Sequence, residues 1–151
     1  MIQGGYMSMH FTNPNDDVFW INNRGWRRVY RLAIMFDWNP RGTLPPAEWD
    51  NSEEWNPRNY FWNYGQKVTT EDANAMGDAI NWAVDMLQDT LFEASFYEQF
   101  GDDWENQMIH RLKVARLFEL KDPAFIFFDI RWEEKLMELV YFCRQGEFAI
   151  Y

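Results

Sequence analysis

Carboxylates are the most abundant reactive side chains in this sequence. Asp85 and Asp89 stand four residues apart, and Asp102 and Asp103 are adjacent. A pair of carboxylates can divide acid and base work in hydrolysis when a cleft raises the pKa of one of them. On a polar helix face the same residues stay solvated, which is their commoner fate. Other reactive types are sparse. His10 and His110 belong to no HExxH or Cys–His pattern, and a metal centre needs several ligands at compatible spacing, so the sequence implies no metal and no cofactor. Cys143, the single cysteine, falls on an apolar helical face and is predicted to be a buried thiol. As a nucleophile it would need a base beside it. No GxSxG, Walker or dinucleotide-binding glycine pattern occurs. "DNSEEW" has the acids of a calcium loop without its glycine or spacing.

The distribution of charge says more. The net charge of −10 is confined to one block. Residues 1–70 carry seven acids and seven bases, as do residues 111–151, whereas residues 71–110 carry ten acids and no Lys or Arg. Such a block is either a solvated face that aids solubility or a docking surface that steers a cationic partner. Balanced charge elsewhere argues against nucleic acid, which needs a basic footprint. No apolar run reaches the length of a membrane span. A lone cysteine and the lack of a signal-like start fit a reducing, cytoplasmic setting.

The elements that position these residues follow from periodicity. Trp26, Val29, Ala33 and Phe36 predict a helix over 23–36, with Arg24, Arg27, Arg28 and Arg31 on another face. That arginine row could read phosphate, but pairing within the domain or with solvent is the preferred reading. Thr69 as N-cap, Asp72 at N3 and the Val68/Ala73 staple predict the strongest helix in the chain. Ala73, Met76, Ile80, Ala83, Leu87 and Leu91 carry it to about residue 91, and "FEASFYEQF" either continues it or starts another. Its opposite side bears Glu71, Asp78, Asp85, Asp89 and Glu93, a stripe about 30 Å long. A further helix is predicted after Asp102 or Asp103, with Trp104, Met108, Leu112, Ala115 and Phe118 inward. Asp122 and Pro123 start the next element. Ala124–Phe128 is ambiguous between strand and helix. A last helix runs from about Ile130 to Arg144 and ends at Gly146.

Aromatics make up 19% of the chain, enough to fill a core without disulfide or metal. The proline-rich loop 40–58 contains Trp49 and Trp55, side chains large enough that folding back onto the core is the preferred reading, each a candidate anchor for a partner if exposed. Tyr60, Trp62 and Tyr64 alternate with Phe61 and Asn63, which predicts an extended or hairpin-like piece over 60–68 that fills core on at least one face. The fold expected is mainly α: one compact domain spanning 1–151, about four to five helices, residues 1–9 loosely ordered, and a short strand at "EFAIY".

Three stretches, "NRGWRRVYRLAIMFDWNPRGT", "YFWNYGQKVTTEDANAMGDAI" and "FCRQGEFAIY", together resemble a family of small uncharacterised bacterial proteins. The matching positions are Trp38, Pro40, Gly42 and Thr43, then Tyr60, Asn63, Gly65, Gln66, Val68, Asp72 and Ala73, then Phe142, Gly146, Phe148 and Ile150. Residues 92–130 have no counterpart. The resemblance implies a bacterial or phage origin and one domain, and it names no catalytic residue.

The function expected is a non-enzymatic protein-binding domain of the immunity, antitoxin or inhibitor kind, opposing a basic toxin-like or nuclease-like protein. Glu71, Asp78, Asp85, Asp89 and Glu93, extended by Glu98, Asp102, Asp103 and Glu105, would steer the partner. Trp49, Trp55, Phe96 and Tyr97 would supply the anchors. Two alternatives remain open: a hydrolase with a carboxylate- and aromatic-lined cleft, and a structural homo-oligomer such as a homodimer.

Overall fold

A computed structural model describes residues 8–100 and 130–151; for residues 86–100, 130 and 131 the backbone alone is described. Strand periodicity starts where the sequence predicts a loose terminus. In β1 (Ser8–Thr12) and β2 (Val18–Asn22), Met9, Phe11, Phe19 and Ile21 are buried and their neighbours face out. The two strands pair antiparallel, with Phe11 opposite Phe19. Asn13 makes the turn between them, its side-chain oxygen accepting from the Asn15 and Asp17 N–H groups. Asn22 then ends β2 and caps α1 (Asn23–Met35) by accepting from the Gly25 N–H at 2.6 Å. Trp26, Val29, Leu32 and Ala33 form the buried stripe of α1.

β3 is short, Gln66–Val68, and leads into α2, Thr70–Phe100. Thr69 is the N-cap, its hydroxyl accepting from the Asp72 N–H at 3.3 Å. α2 is one helix through to Phe100, so "FEASFYEQF" continues it. α3 spans Ile130–Arg144 and lies against α2, where Gly77 lets the helices approach: a Cβ there would stand 3.0 Å from that of Cys143. Gly146, at φ +107°, turns the chain into β4, Phe148–Ile150.

The architecture is therefore α/β: among the described residues, three helices and a four-stranded antiparallel sheet of order β2-β1-β4-β3. This corrects the mainly α expectation of four to five helices. Short strands caused the error. β1 and β2 have five residues each, β3 and β4 three each, and their period-2 signal is weak beside that of the helices. The 60–68 piece is no hairpin either, because β3 pairs with β4 at the far end of the chain. The inward residues Met9, Phe11, Phe19, Ile21, Val68, Phe148 and Ile150 share one core with the buried faces of the helices. The helix expected after Asp102, the start at Asp122 and Pro123, the Ala124–Phe128 segment and His110 lie outside the described residues. No helix among the described residues is long and apolar enough to cross a membrane.

Candidate functional site

Asp72 is the first surprise of the acidic block. It belongs by sequence to the charged helix start, yet its side chain is fully buried. One oxygen accepts from the Trp38 indole N–H at 3.0 Å and from the Arg41 backbone N–H at 3.1 Å. The other accepts from the Tyr60 hydroxyl at 2.5 Å. Tyr60 in turn accepts from the Gly42 N–H at 2.9 Å. Burial, then the hydrogen bond to Asp72 and its charge, push the Tyr60 hydroxyl far above the ordinary phenol range. Burial raises Tyr30 too, with Asp72 adding and Arg58 opposing. A buried carboxylate costs stability unless its oxygens are paired, and three donors here serve that purpose. Asp72 thus staples α2 to the loop that follows α1.

The loop itself is tied from beneath. The Thr43 hydroxyl donates to the Pro57 and Asn59 carbonyls, and the Trp55 indole N–H donates to the Thr43 carbonyl at 3.1 Å. Leu44 bridges to Lys67 of β3. Gln66 is fully buried; its amide donates to the Asn59 and Trp62 carbonyls, and its oxygen accepts from the Tyr64 N–H at 2.9 Å. The Trp62 N–H donates to the Asn59 side chain at 3.1 Å.

On this frame sits an open pocket of about 530 Å³ lined by Pro46, Glu48, Trp49, Glu53, Trp62 and Tyr64. Trp62 is 54% exposed and Tyr64 48%. The rings of Trp49 and Tyr64 lie 26° from parallel with centroids 6.4 Å apart, and Trp62 stands 5.0 Å from Tyr64. Behind Trp49, Trp55 packs edge-on at 4.7 Å. The Trp49 indole N–H donates to the Glu53 carbonyl at 3.2 Å, which holds the ring at the rim. Glu48 and Glu53 are exposed, so the pocket couples three aromatic faces to two solvated carboxylates.

Other expected site residues are scattered. Glu71, Asp78 and Asp85 are exposed on α2 at seven-residue spacing, hence on one side of the helix, and no Lys, Arg or His among the described residues pairs with them. Asp89, Glu93, Phe96, Tyr97 and Glu98 lie on the same helix, with side chains outside the description. Asp102, Asp103 and Glu105 lie outside the described residues. Trp49 lines the pocket, whereas Trp55 is a strut behind it. Among the arginines, Arg24, Arg27 and Arg31 are exposed, and Arg27 sits 4.7 Å over the Phe61 ring. Cys143 is buried, and burial, with a smaller push from Asp72, raises its thiol well above its usual range.

The sequence reading missed Glu48, Glu53, Trp62 and Tyr64 as site residues. For Trp62 and Tyr64 the strand-like alternation misled it: residues 61, 62 and 64 are bends, and Tyr60 is buried while Trp62 and Tyr64 are exposed; Glu48 and Glu53 sit in a loop with no period to place them. The Asn63 and Gly65 punctuation was the available signal.

No family model, curated protein or solved structure matches the chain. The motif positions singled out in the sequence nevertheless have a physical meaning in the fold. Trp38, Gly42, Tyr60 and Asp72 form the staple, Thr43 and Gln66 tie the loop, and Val68 pairs with Phe148. Gly65, at φ +85°, donates to the Ile150 carbonyl at 2.7 Å and packs where a Cβ would meet Tyr151 at 3.0 Å. These residues hold the chain together and do not line the pocket.

Proposed function

We propose that this chain is a non-enzymatic protein-binding domain, of the immunity, antitoxin or inhibitor kind, that receives a basic partner protein in a reducing, cytoplasmic setting. The observation that carries the reading is the exposed row Glu71, Asp78 and Asp85, unpaired by any cation among the described residues. Asp89 and Glu93 continue the helical spacing of that row by sequence. Unpaired carboxylates on one side of a helix create a directed negative potential, which accelerates encounter with a positive surface and disfavours acidic competitors. The aromatic loop around Trp49 and Trp62 supplies the desolvatable area that charge alone lacks.

The test is affinity capture from the source cell with the wild-type chain and with Asp78→Lys/Asp85→Lys, both sites being exposed. The partner is identified, remade and measured by titration. A basic protein that binds wild type, and binds the variant at least about tenfold more weakly, supports the reading. A partner that is acidic, or that binds both forms equally, contradicts it.

A second reading has one observation in its favour. Two carboxylates beside Trp49, Trp62 and Tyr64 also suit a sugar-like ligand, as a hydrolase cleft would. Both carboxylates are exposed, however, so burial does not set one apart from the other as acid and base work requires.

A further inference from the structure

The pocket in the loop has a narrower chemistry than the domain's general negative charge. We infer that the pocket walled by Trp49, Trp62 and Tyr64 and rimmed by Glu48 and Glu53 takes one arginine side chain of the partner protein, holding its guanidinium between aromatic faces and within reach of the two carboxylates. This rests on the proposed binding of a basic partner and adds which side chain is read, and where.

Three features select arginine. First, the Trp49 and Tyr64 rings are nearly parallel, at 26°, and 6.4 Å apart. A planar cation stacked between two rings needs about 7 Å between the ring planes, twice a van der Waals contact of about 3.5 Å, so the slot widens on entry by movement of the exposed Tyr64 ring. An ammonium or a quaternary ammonium has no plane to match. Second, Glu48 and Glu53 can accept hydrogen bonds, and a guanidinium brings five N–H donors in a fixed fork. A quaternary ammonium has no donors and a sugar no charge. Third, the ring faces attract cations electrostatically, Trp most strongly. The chain already uses this chemistry internally, at Arg27 over Phe61.

The frame is built to keep the pocket open in the free protein. The Trp49 ring is held by its indole N–H and the edge of Trp55, and the backbone N–H bonds of Trp62 to Asn59 and of Tyr64 to Gln66 fix the chain that carries the other two rings. Little backbone ordering is therefore required when the guanidinium enters.

The experiment uses the full chain labelled with ¹⁵N, its indole N–H signals assigned by single Trp→Phe exchanges. N-acetyl-arginine amide, N-acetyl-lysine amide, tetramethylammonium and a neutral disaccharide are titrated separately. The expected result is saturable movement of the Trp49 and Trp62 signals by the arginine probe in the millimolar range. The lysine probe should bind at least about fivefold more weakly. Glu48→Gln/Glu53→Gln should weaken the arginine probe about tenfold, and Trp62→Ala should abolish saturation. Equal binding of lysine, tighter binding of tetramethylammonium or of the disaccharide, or no saturable movement each overturns the assignment. Loss of the arginine site with intact, salt-dependent capture of a basic partner through α2 overturns this inference alone. Loss of partner binding with an intact arginine site overturns the wider reading instead.

Discussion

Replacing Tyr60 by phenylalanine removes one oxygen from a side chain that is 1% exposed. That oxygen donates to the buried Asp72 carboxylate at 2.5 Å and accepts from the Gly42 N–H at 2.9 Å. A hydrogen bond to a charged group contributes about 1.5–3 kcal/mol, and a part-buried N–H left without an acceptor costs about 1 kcal/mol more. The variant should therefore lose about 2.5–4 kcal/mol, a large fraction of the ~5–15 kcal/mol that stabilises a typical domain. For a chain of this size that corresponds to a fall of roughly 5–15 °C in Tm. Urea unfolding followed by tryptophan fluorescence and far-ultraviolet circular dichroism measures the change. Tyr64→Phe, at a ring 48% exposed, is the control and should stay within about 0.5 kcal/mol of wild type. If Tyr60→Phe also stays within that margin, the Asp72 staple does not hold the loop to α2, and the structural reading of the sequence pattern fails.

Two further outcomes follow from the helix interface. The Cys143 thiol is held protonated by burial and, secondarily, by Asp72, so its contribution is fully present below the unfolded thiol pKa and is lost as pH rises above it. Wild-type stability should fall by about 1.4 kcal/mol per pH unit above about pH 9 relative to Cys143→Ala; a parallel profile for the two proteins would exclude the effect. Gly77→Ala places a Cβ 3.0 Å from that of Cys143; overpacking of this kind costs about 1–3 kcal/mol, against about 0.5–1 kcal/mol that alanine adds inside a helix, so urea unfolding should show a net loss, whereas a net gain would mean that the contact yields without strain.

How much of this was legible in the sequence depended on the length of each pattern. α1, α2 and α3 carry several turns of apolar spacing, and the limits of α1 (Asn23–Met35) and α3 (Ile130–Arg144) and the start of α2 at Thr70 were legible; the end of α2 was not, since the spacing gave about residue 91 and the helix runs on to Phe100. Of the sheet only the terminal strand at "EFAIY" was legible, as β4; the other strands and the pairing were not, because strands of three to five residues offer few alternations and their partners lie at opposite ends of the chain. Phe11 against Ile150 is a pairing that no local signal announces. Asp72 illustrates the same limit at the site. The sequence places it only at N3 of a helix start, and its burial depends on donors from Trp38, Arg41 and Tyr60, all distant in sequence. For Trp62 and Tyr64 strand-like alternation suggested core, and a backbone of bends exposed them. The carboxylate row was legible because helical spacing and exposure follow from the same periodicity, and Glu71, Asp78 and Asp85 lie where that spacing puts them.

The association rate with the basic partner, measured by stopped-flow fluorescence at increasing ionic strength, tests the central claim most directly. If the exposed side of α2 steers the encounter, the rate falls steeply as salt rises, and Asp78→Asn/Asp85→Asn both lowers the rate at low salt and flattens its dependence. A rate that is independent of salt, or unaffected by neutralising Asp78 and Asp85, would contradict the account.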